Sequence, residues 1–552
     1  MSTEPKKVDR RNFLYVGLGA VALVAIGAAA YIAMNPPVVT QTITTATTAT
    51  TTVPTTTVIT QPTTTVVTTT TATTVTTTQP TPTTTMPWEL IKWDQPSFEE
   101  RLTGVKIGPI PDHWIQRFPT LKTYKKEPIA AIGGYQLPKG WEQAVSGVKE
   151  IKFLNYGGLA HDPATEMALC AFEDLTGIHV EAKEMEELTL WLKTVSIMTA
   201  KSDAIDIIDV GGTIYGQHVV KSGWALPIDF LWPPEAQKLY SPLNTKLCKF
   251  GEHWYYTGMI STKPFVPYFR PSWLKQATGS SEPPKTWVDV VEVMAQVAKW
   301  AKDKLGPGYY GIVMPGKDHR YMWINFVAPL YSLGGWFLDS KGNINVLSTE
   351  FRKAFEIFVK MGQNGAMPAE ALGWAWTDPG ELFGKGKAGF IHDGVVNISR
   401  YMSPTLYPDI KDDWIATIPL SYDSKTPPAV AEASSAALAV NPYTSPKQQA
   451  AAMLFLDFYR SYQVQWNELA FEGNETVATA LYDREDVKNT IPLPNVKKTA
   501  IEVSKTEMLP PGADEALARL LEWWQKAVLG TISIDEALTK AQKDIDAIAA
   551  TF

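Results

Sequence analysis

Between Val38 and Thr85 the chain is almost all threonine, broken only by Val, Ala, Ile, Pro and Gln. Threonine and proline both disfavour helix, and no periodic apolar face is available to bury, so nothing opposes the entropy cost of folding there. The tract therefore divides the chain. Whatever folds into a globular body must follow it, from Trp88 to Phe552.

What precedes the tract is a different kind of segment. Phe13 to Met34 (FLYVGLGAVALVAIGAAAYIAM) is an apolar run of about 22 residues, enough to cross a hydrocarbon layer of roughly 30 Å as a helix. Lys6, Lys7, Arg10 and Arg11 lie before it and no basic residue follows until Lys92, so the N-terminus is expected in the cytoplasm and the bulk outside. DRRNFLY, Asp9 to Tyr15, is similar to a twin-arginine export signal: Arg10, Arg11, Phe13 and Leu14 match, while Asp9 and Tyr15 depart from it. The same arginines equally serve as positive-inside anchors, and both routes stay open. Ala28, Ala29, Ala30 and Ala33 suit a signal peptidase, whereas the length suits a retained anchor. The threonine tract favours retention, because a stalk has a use only when one end is held. At about 3.1 Å per residue it would reach on the order of 100 Å, as an O-glycosylation acceptor or, alternatively, an unglycosylated extended segment.

The remaining part is long enough for two lobes or more. Lys+Arg total 50 against Asp+Glu 57, which argues against nucleic acid as a partner. Cys170 and Cys248 either pair outside the cell or stay as buried thiols. From Lys149 onwards strand and helix patterns alternate. KEIKFLNY (Lys149 to Tyr156) reads as a strand, Pro163 to Thr176 as a helix with Met167, Cys170, Ala171 and Leu175 at helical spacing, and IHVEAKEM as a strand. LTLWLKTVSIMTAK reads as a second helix and AIDIIDVGG (Ala204 to Gly212) as a buried strand. This order predicts parallel strands with crossover helices. Pro283-Pro284-Lys285-Thr286-Trp287 with Asp289 reads as a capped helix start, and Gly384, Gly386 and Gly389 punctuate a helix-to-strand joint. Trp88 to about Gly147 has no clear pattern.

Six segments in order resemble the extracellular sugar-type solute-binding proteins of ATP-driven (ABC) importers, the maltodextrin-binding-like group: FEDLTGIHVE, AIDIIDVGGTIYGQHVVKSGWALPID, PYFRPSWLKQATGSSEPPKTWVDVVEVMAQVAK, LFGKGKAGFIHDG, AVNPYTSPKQQAAAMLFLDF and VLGTISIDEALTKAQKDID. The resemblance spans about Lys149 to Phe552. It implies a two-lobed, periplasmic-binding-protein-like α/β fold with hinge crossings, preceded by a transmembrane helix and a disordered Thr-rich stalk. The expected organisation is 1–12 cytoplasmic, 13–34 transmembrane or signal, 35–86 stalk, 87–147 an extension, 148–258 with 436–480 as lobe one, and 260–432 with 484–552 as lobe two. Hinges fall at Gly258, Ala433 and Ser434, where small residues suit backbone rotation.

By the same resemblance, the chain captures a sugar or oligosaccharide between the lobes at the cell surface and delivers it to ABC permease subunits, with no catalysis, cofactor or metal. Sugars offer apolar CH faces to aromatic rings and hydroxyls to polar side chains. The expected contacts are Trp336 after Gly334-Gly335, Asp393, Trp374 and Trp376, whose rings share one face if the segment is extended, and the strand ends Tyr156, Gly157, Gly211, Gly212 and Thr213, with Gly158, His161 and Asp162 nearby. Trp254, Tyr255 and Tyr256 lead into the first crossing. Val395-Val396, Asp209-Val210-Gly211 and Pro510-Pro511-Gly512 stand where maltodextrin binders carry aromatics, which argues against maltodextrin itself. The rival classes are an anchored glycosidase using Asp378 with Glu381 or Asp393, and the same fold binding a peptide, a metal or another solute. The seven histidines are dispersed, without metal-site spacing. A stalked binder of this kind suits an archaeal or monoderm surface.

Overall fold

A computed structural model describes residues 85–122, 129–156, 163–185, 187–210, 212–257, 264–401, 407–410, 412–431, 437–472 and 475–552. The apolar segment 13–34 and the stalk lie outside them. Among the described residues no helix is long and apolar enough to cross a membrane. Thr85–Phe552 forms one compact unit. Its strands are β1 (Lys106–Pro109), β2 (Ile129–Gly133), β3 (Glu150–Tyr156), β4 (His179–Met185), β5 (Ile207–Val210), β6 (Lys249–Phe250), β7 (His253–Trp254), β8 (Phe265–Phe269), β9 (Tyr310–Val313), β10 (Ala388–Gly394), β11 (Ile415–Ala416), β12 (Val430–Ala431), β13 (Ala437–Val440) and β14 (Ser504–Lys505). Helices that bear on the site are α1 (Pro163–Thr176), α2 (Glu187–Thr199), α3 (Gly212–Lys221), α4 (Trp287–Leu305), α5 (His319–Ser332), α6 (Thr377–Gly384), α7 (Pro446–Tyr459) and α8 (Ala513–Val528).

Two four-stranded sheets carry the two lobes, in the orders β13-β5-β3-β4 and β11-β8-β10-β9. The expected parallel pairings are present: β3 with β4, β3 with β5, and β9 with β10. Each sheet also contains antiparallel pairs, β13 with β5 and β8 with β10. The expected parallel strands thus sit in mixed sheets: β13 enters the first only after the chain has left lobe one and returned, and β8, the first strand of lobe two, lies antiparallel to β10. Period-2 alternation fills both faces of the second sheet. Phe265 and Phe269 of β8 join one core with Ile312 and Phe390, while Val266 and Tyr268 join another with Val313 and Ile391.

Local signals act as read. Thr286 caps α4, its hydroxyl oxygen accepting from the Asp289 amide (3.1 Å). Gly386 takes φ +69° between the end of α6 and the start of β10, a conformation strained for any residue with a Cβ. In α1, Met167, Cys170 and Ala171 are buried, but Leu175 lies on the outer face. Cys170 and Cys248 are separate, buried thiols. Burial pushes the Cys170 thiol up to about 12, and the Cys248 thiol donates to the Thr257 carbonyl (2.9 Å).

The extension ahead of β3 belongs to the first core. Ile91, Trp93, Phe98, Leu102, Trp114 and Ala131 pack there with Phe153, Phe455 and Phe458. Its polar side chains run antiparallel along α1: Trp114 Nε1 donates to Asp174 (2.7 Å), Arg117 Nη1 to Glu173 (2.6 Å), and Thr120 Oγ1 to Glu166 (2.7 Å). Asn467 holds β2 through both its amide atoms, accepting from Ala131 N (2.8 Å) and donating to Ala131 O (3.0 Å).

At the centre of this junction Arg101 is buried against Asp457 at the end of α7. Arg460 Nη2 donates to the other carboxylate oxygen (2.8 Å), and Tyr135 Oη donates to Asp457 Oδ2 (2.6 Å). The Trp93 and Leu231 carbonyls accept from Arg101 and Arg460, both at 2.6 Å, and the rings of Phe98 and Trp232 cover the guanidiniums. Burial lowers Arg101 to about 10 and pushes the Tyr135 hydroxyl up to about 12.

Two stability measurements follow. Arg101→Met removes one partner of a buried charge and is expected to cost about 3–5 kcal/mol in denaturant unfolding and to open residues 87–147 to protease; unchanged protection would show that the network does not hold the extension. His392, buried in lobe two with Nδ1 2.9 Å from Asn325 Oδ1, is lowered by burial from 6.5 to about 3. Across that window the unfolded chain binds the extra proton, so stability is full above 6.5 and falls as pH drops toward 3. Between 6.5 and about 4.5, above the carboxylate range, wild type should lose up to about 1.4 kcal/mol per pH unit relative to His392→Gln. Parallel curves for the two would refute a neutral buried imidazole.

Candidate binding site between the lobes

The site is organised by the first turn of α5. Asp318 caps it, its Oδ1 accepting from the amides of Arg320 (3.1 Å) and Tyr321 (3.2 Å), which sets the directions of three consecutive side chains. His319 Nε2 lies 2.8 Å from Asp514 Oδ1 at the start of α8. Arg320 Nη1 donates to Tyr215 Oη (3.3 Å), and Arg320 Nε lies 3.7 Å from Asp514 Oδ1. Burial pushes Asp514 up, but the His319 hydrogen bond and the His319 and Arg320 charges outweigh it and hold the carboxyl below its usual range.

Tyr215 sits on α3 within the first core, stacked on Trp191 of α2 at 4.0 Å and 12°. Arg320 is thus a direct polar link between the lobes. The same junction carries a backbone bond from Leu509 N to Thr213 O (2.9 Å) and a bond from Gln217 Nε2 to Met508 O (2.9 Å).

Tyr321 turns toward α6. Its ring stacks on Trp376 with centroids 5.5 Å apart and 16° between planes, and lies 5.7 Å from the Phe265 ring. Both Tyr321 and Trp376 are half-buried. Phe265 pairs with Gly394 across the sheet, which places Asp393 at the same end of lobe two. Asp393 Oδ2 accepts from Tyr401 Oη (3.3 Å) and Oδ1 from Gly394 N (2.7 Å). A Cβ at Gly380 would lie 3.4 Å from Tyr401 Oη and 3.6 Å from Asp393 Oδ2, so α6 faces this carboxylate closely. The result is a stacked aromatic pair with a half-buried carboxylate at one strand end, the carboxylate held from behind by the buried Tyr401 phenol.

The expected residues divide accordingly. Trp376 and Asp393 are brought to this end of lobe two. Trp374 is not. Trp376 adopts helical dihedrals (φ −59°, ψ −28°) at the start of α6, so the segment is not extended and the two rings do not share a face. Trp374 packs instead on Tyr310 (5.2 Å, 69°), which pairs with Ala388, five residues or about 17 Å along β10 from Asp393. Trp336 is 44% exposed beyond the other end of α5, whose 14 residues span about 21 Å. There Tyr331 (5.6 Å) and Lys505 Nζ (5.5 Å) lie against its ring.

Tyr156 ends β3, Gly212 begins α3, and Thr213 is buried with its carbonyl taken by Leu509. Gly157, Gly158, His161, Asp162, Gly211 and the hinge residues Gly258, Ala433 and Ser434 lie outside the described residues. Trp254 and Tyr256 are packed in the first core, Trp254 stacked on Trp232 (4.7 Å, 16°).

The sequence reading missed Tyr321, Arg320, Tyr215 and Tyr401. A usable signal existed for the first two: Asp318 after Gly316 is a helix cap, and HRY then places a cation and a ring in its first turn. Two of the carboxylates considered for glycoside cleavage, Glu381 and Asp378, have structural tasks. Glu381 accepts from Tyr407 Oη (2.8 Å) and pairs with Lys385 (3.0 Å), and Asp378 Oδ2 accepts from Ala375 N (2.8 Å). Among the described residues no group of three or more His, Cys, Asp or Glu is placed to hold a metal ion.

Known structures share this architecture. Maltose-bound MalE3 of T. maritima matches with a TM-score of 0.62 at 18% identity, covering 73% of this chain and 100% of that one. The solute-binding protein of Agrobacterium radiobacter K84 in complex with ribitol matches at 0.60 and 18%, covering 73% and 99%. The GacH receptor of Streptomyces glaucescens GLA.O, known unliganded and with acarbose, matches at 0.62 and 15%, covering 73% and 98%. At these identities the likeness establishes the fold, a two-lobed periplasmic-binding-protein-like α/β architecture. Residues 168–495, more than half of the chain, match the family described as bacterial extracellular solute-binding protein, and this chain belongs to that family.

Proposed function

We propose that the protein is a surface-tethered receptor that captures a sugar or oligosaccharide between its lobes and passes it to an ABC permease. The observation that carries this reading is the stacked Tyr321–Trp376 pair beside Asp393 and Tyr401. Aromatic faces suit the CH surface of a pyranose, and the half-buried carboxylate, held by the buried Tyr401 hydroxyl, suits its hydroxyls. Maltose, ribitol and acarbose in the structural neighbours support a polyhydroxylated ligand. The protein binds without cleaving, in keeping with its family. Phe13 to Met34 supplies the anchor, and the threonine tract is a tether that raises the receptor's concentration near its importer.

Intrinsic tryptophan fluorescence of the full chain, titrated with mono- and oligosaccharides and then with peptides and metal ions, tests the ligand class. One saccharide class should saturate, and Trp376→Ala should weaken it about 5- to 10-fold, with Trp374→Ala close to wild type. Saturation by peptides or metals alone, or turnover of a glycan, would overturn the reading. For the tether, the full chain should stay with membranes through salt washes and leave only with detergent. Release by washing alone would refute anchoring.

A further inference from the structure

The lobes of a binding protein must part and meet again, so a side chain that bonds across them, next to the ligand surface, has a distinct role. Arg320 is such a side chain. It is rooted in lobe two by its place on α5, and its Nη1 reaches Tyr215 Oη in lobe one at 3.3 Å. Both residues are buried, at 8% and 4% exposure.

Each partner is held by its own lobe. Asp514, 3.7 Å from Arg320 Nε and bound to His319 at 2.8 Å, keeps the guanidinium beside a carboxylate from lobe two. Trp191, stacked at 4.0 Å, fixes the Tyr215 ring from lobe one. The two halves of the link are thus ordered before they meet, which lowers the entropy cost of forming it. The next residue along, Tyr321, is half of the aromatic pair proposed to meet the ligand. One helical turn therefore carries both the interlobe bond and the ligand surface.

We propose that Arg320 is a positioning residue that clasps Tyr215 and couples closure of the lobes to occupancy of the cleft. The clasp adds weight to the closed arrangement, and because apparent affinity scales with the closed fraction, it tightens binding without touching the ligand. The link to affinity rests on the sugar-receptor reading. The clasp itself does not.

The test uses the full chain with fluorescent labels on Lys238→Cys in lobe one and Lys353→Cys in lobe two, both exposed positions, the native thiols being buried. Interlobe distance is measured without ligand and with maltose as probe, together with maltose affinity. Tyr215→Phe keeps the ring and its stack and removes only the hydroxyl. It should shift the ligand-free distribution toward longer distances and weaken maltose about 3- to 10-fold. Arg320→Met should act in the same direction and more weakly, because the Tyr215 hydroxyl also bonds Asp514, and the two changes together should fall short of the sum of their separate effects, since they share the Arg320–Tyr215 bond.

Unchanged distances in Tyr215→Phe, or additive effects in the double variant, would overturn the clasp. If maltose fails to bind the wild type, the saccharide that saturates the fluorescence titration replaces it; if none does, the ligand reading is at fault, and the ligand-free distances still decide the clasp. Should Arg320→Met not fold, Arg320→Gln, which leaves the Tyr215–Asp514 bond in place, is measured in its stead.

Discussion

One carboxylate, Asp457, organises lobe one. It faces Arg101 and Arg460 with its two oxygens and also accepts from Tyr135. A charge so deeply buried is tolerable only when opposite charge and hydrogen bonds surround it, and here partners meet both carboxylate oxygens, although Nε of Arg101 and of Arg460 has none. Those partners come from the extension, the end of α7 and the Leu231 carbonyl, segments far apart in the chain. The extension is consequently a structural part of lobe one: removing it would strip apolar cover from Phe153 and Phe458 and leave Asp457 with half its neutralisation.

A similar economy holds between the lobes. The first turn of α5 is set by Asp318, and from it project a histidine and an arginine toward Asp514 and Tyr215 and a tyrosine toward Trp376. A second buried ion pair, Lys497 with Glu475 at 2.5 Å, lies where the chain returns toward lobe two. Around it the segment is shared: Tyr482 and Ile501 pack in the first core, Ala500 in the third, and Leu509 in the second. The last crossing is a packed connection over this stretch, with buried charge neutralised inside it.

Much of the architecture was legible because its signals are local. Helix α1 begins and ends where its apolar spacing and Gly177 place it, Thr286 caps as its position before Trp287 implies, and Gly386 marks the joint before β10. The site was legible only in part. Asp393 lies at the strand end where the resemblance put it, and Trp376 comes to the same end of lobe two at the start of a helix, where an extended segment was expected. Trp374 and Trp336 looked equivalent by composition, yet one ring turns onto Tyr310 and the other sits beyond the far end of α5. Two residues of separation say which face a side chain takes only when the backbone is known to be extended, and Trp376 is helical.

By itself, the sequence determined the division of the chain: an apolar segment, a tract that cannot bury itself, and a body whose strand and helix periods demand an α/β fold. Composition and periodicity act over a few residues, so they are read directly. Only the tertiary structure decided that 87–147 completes a core, that the two cysteines stay apart, and that Arg320 meets Tyr215. Those outcomes depend on burial and on contacts between residues from about 80 to more than 350 positions apart, where the cost of burying a polar group without a partner, not local propensity, decides.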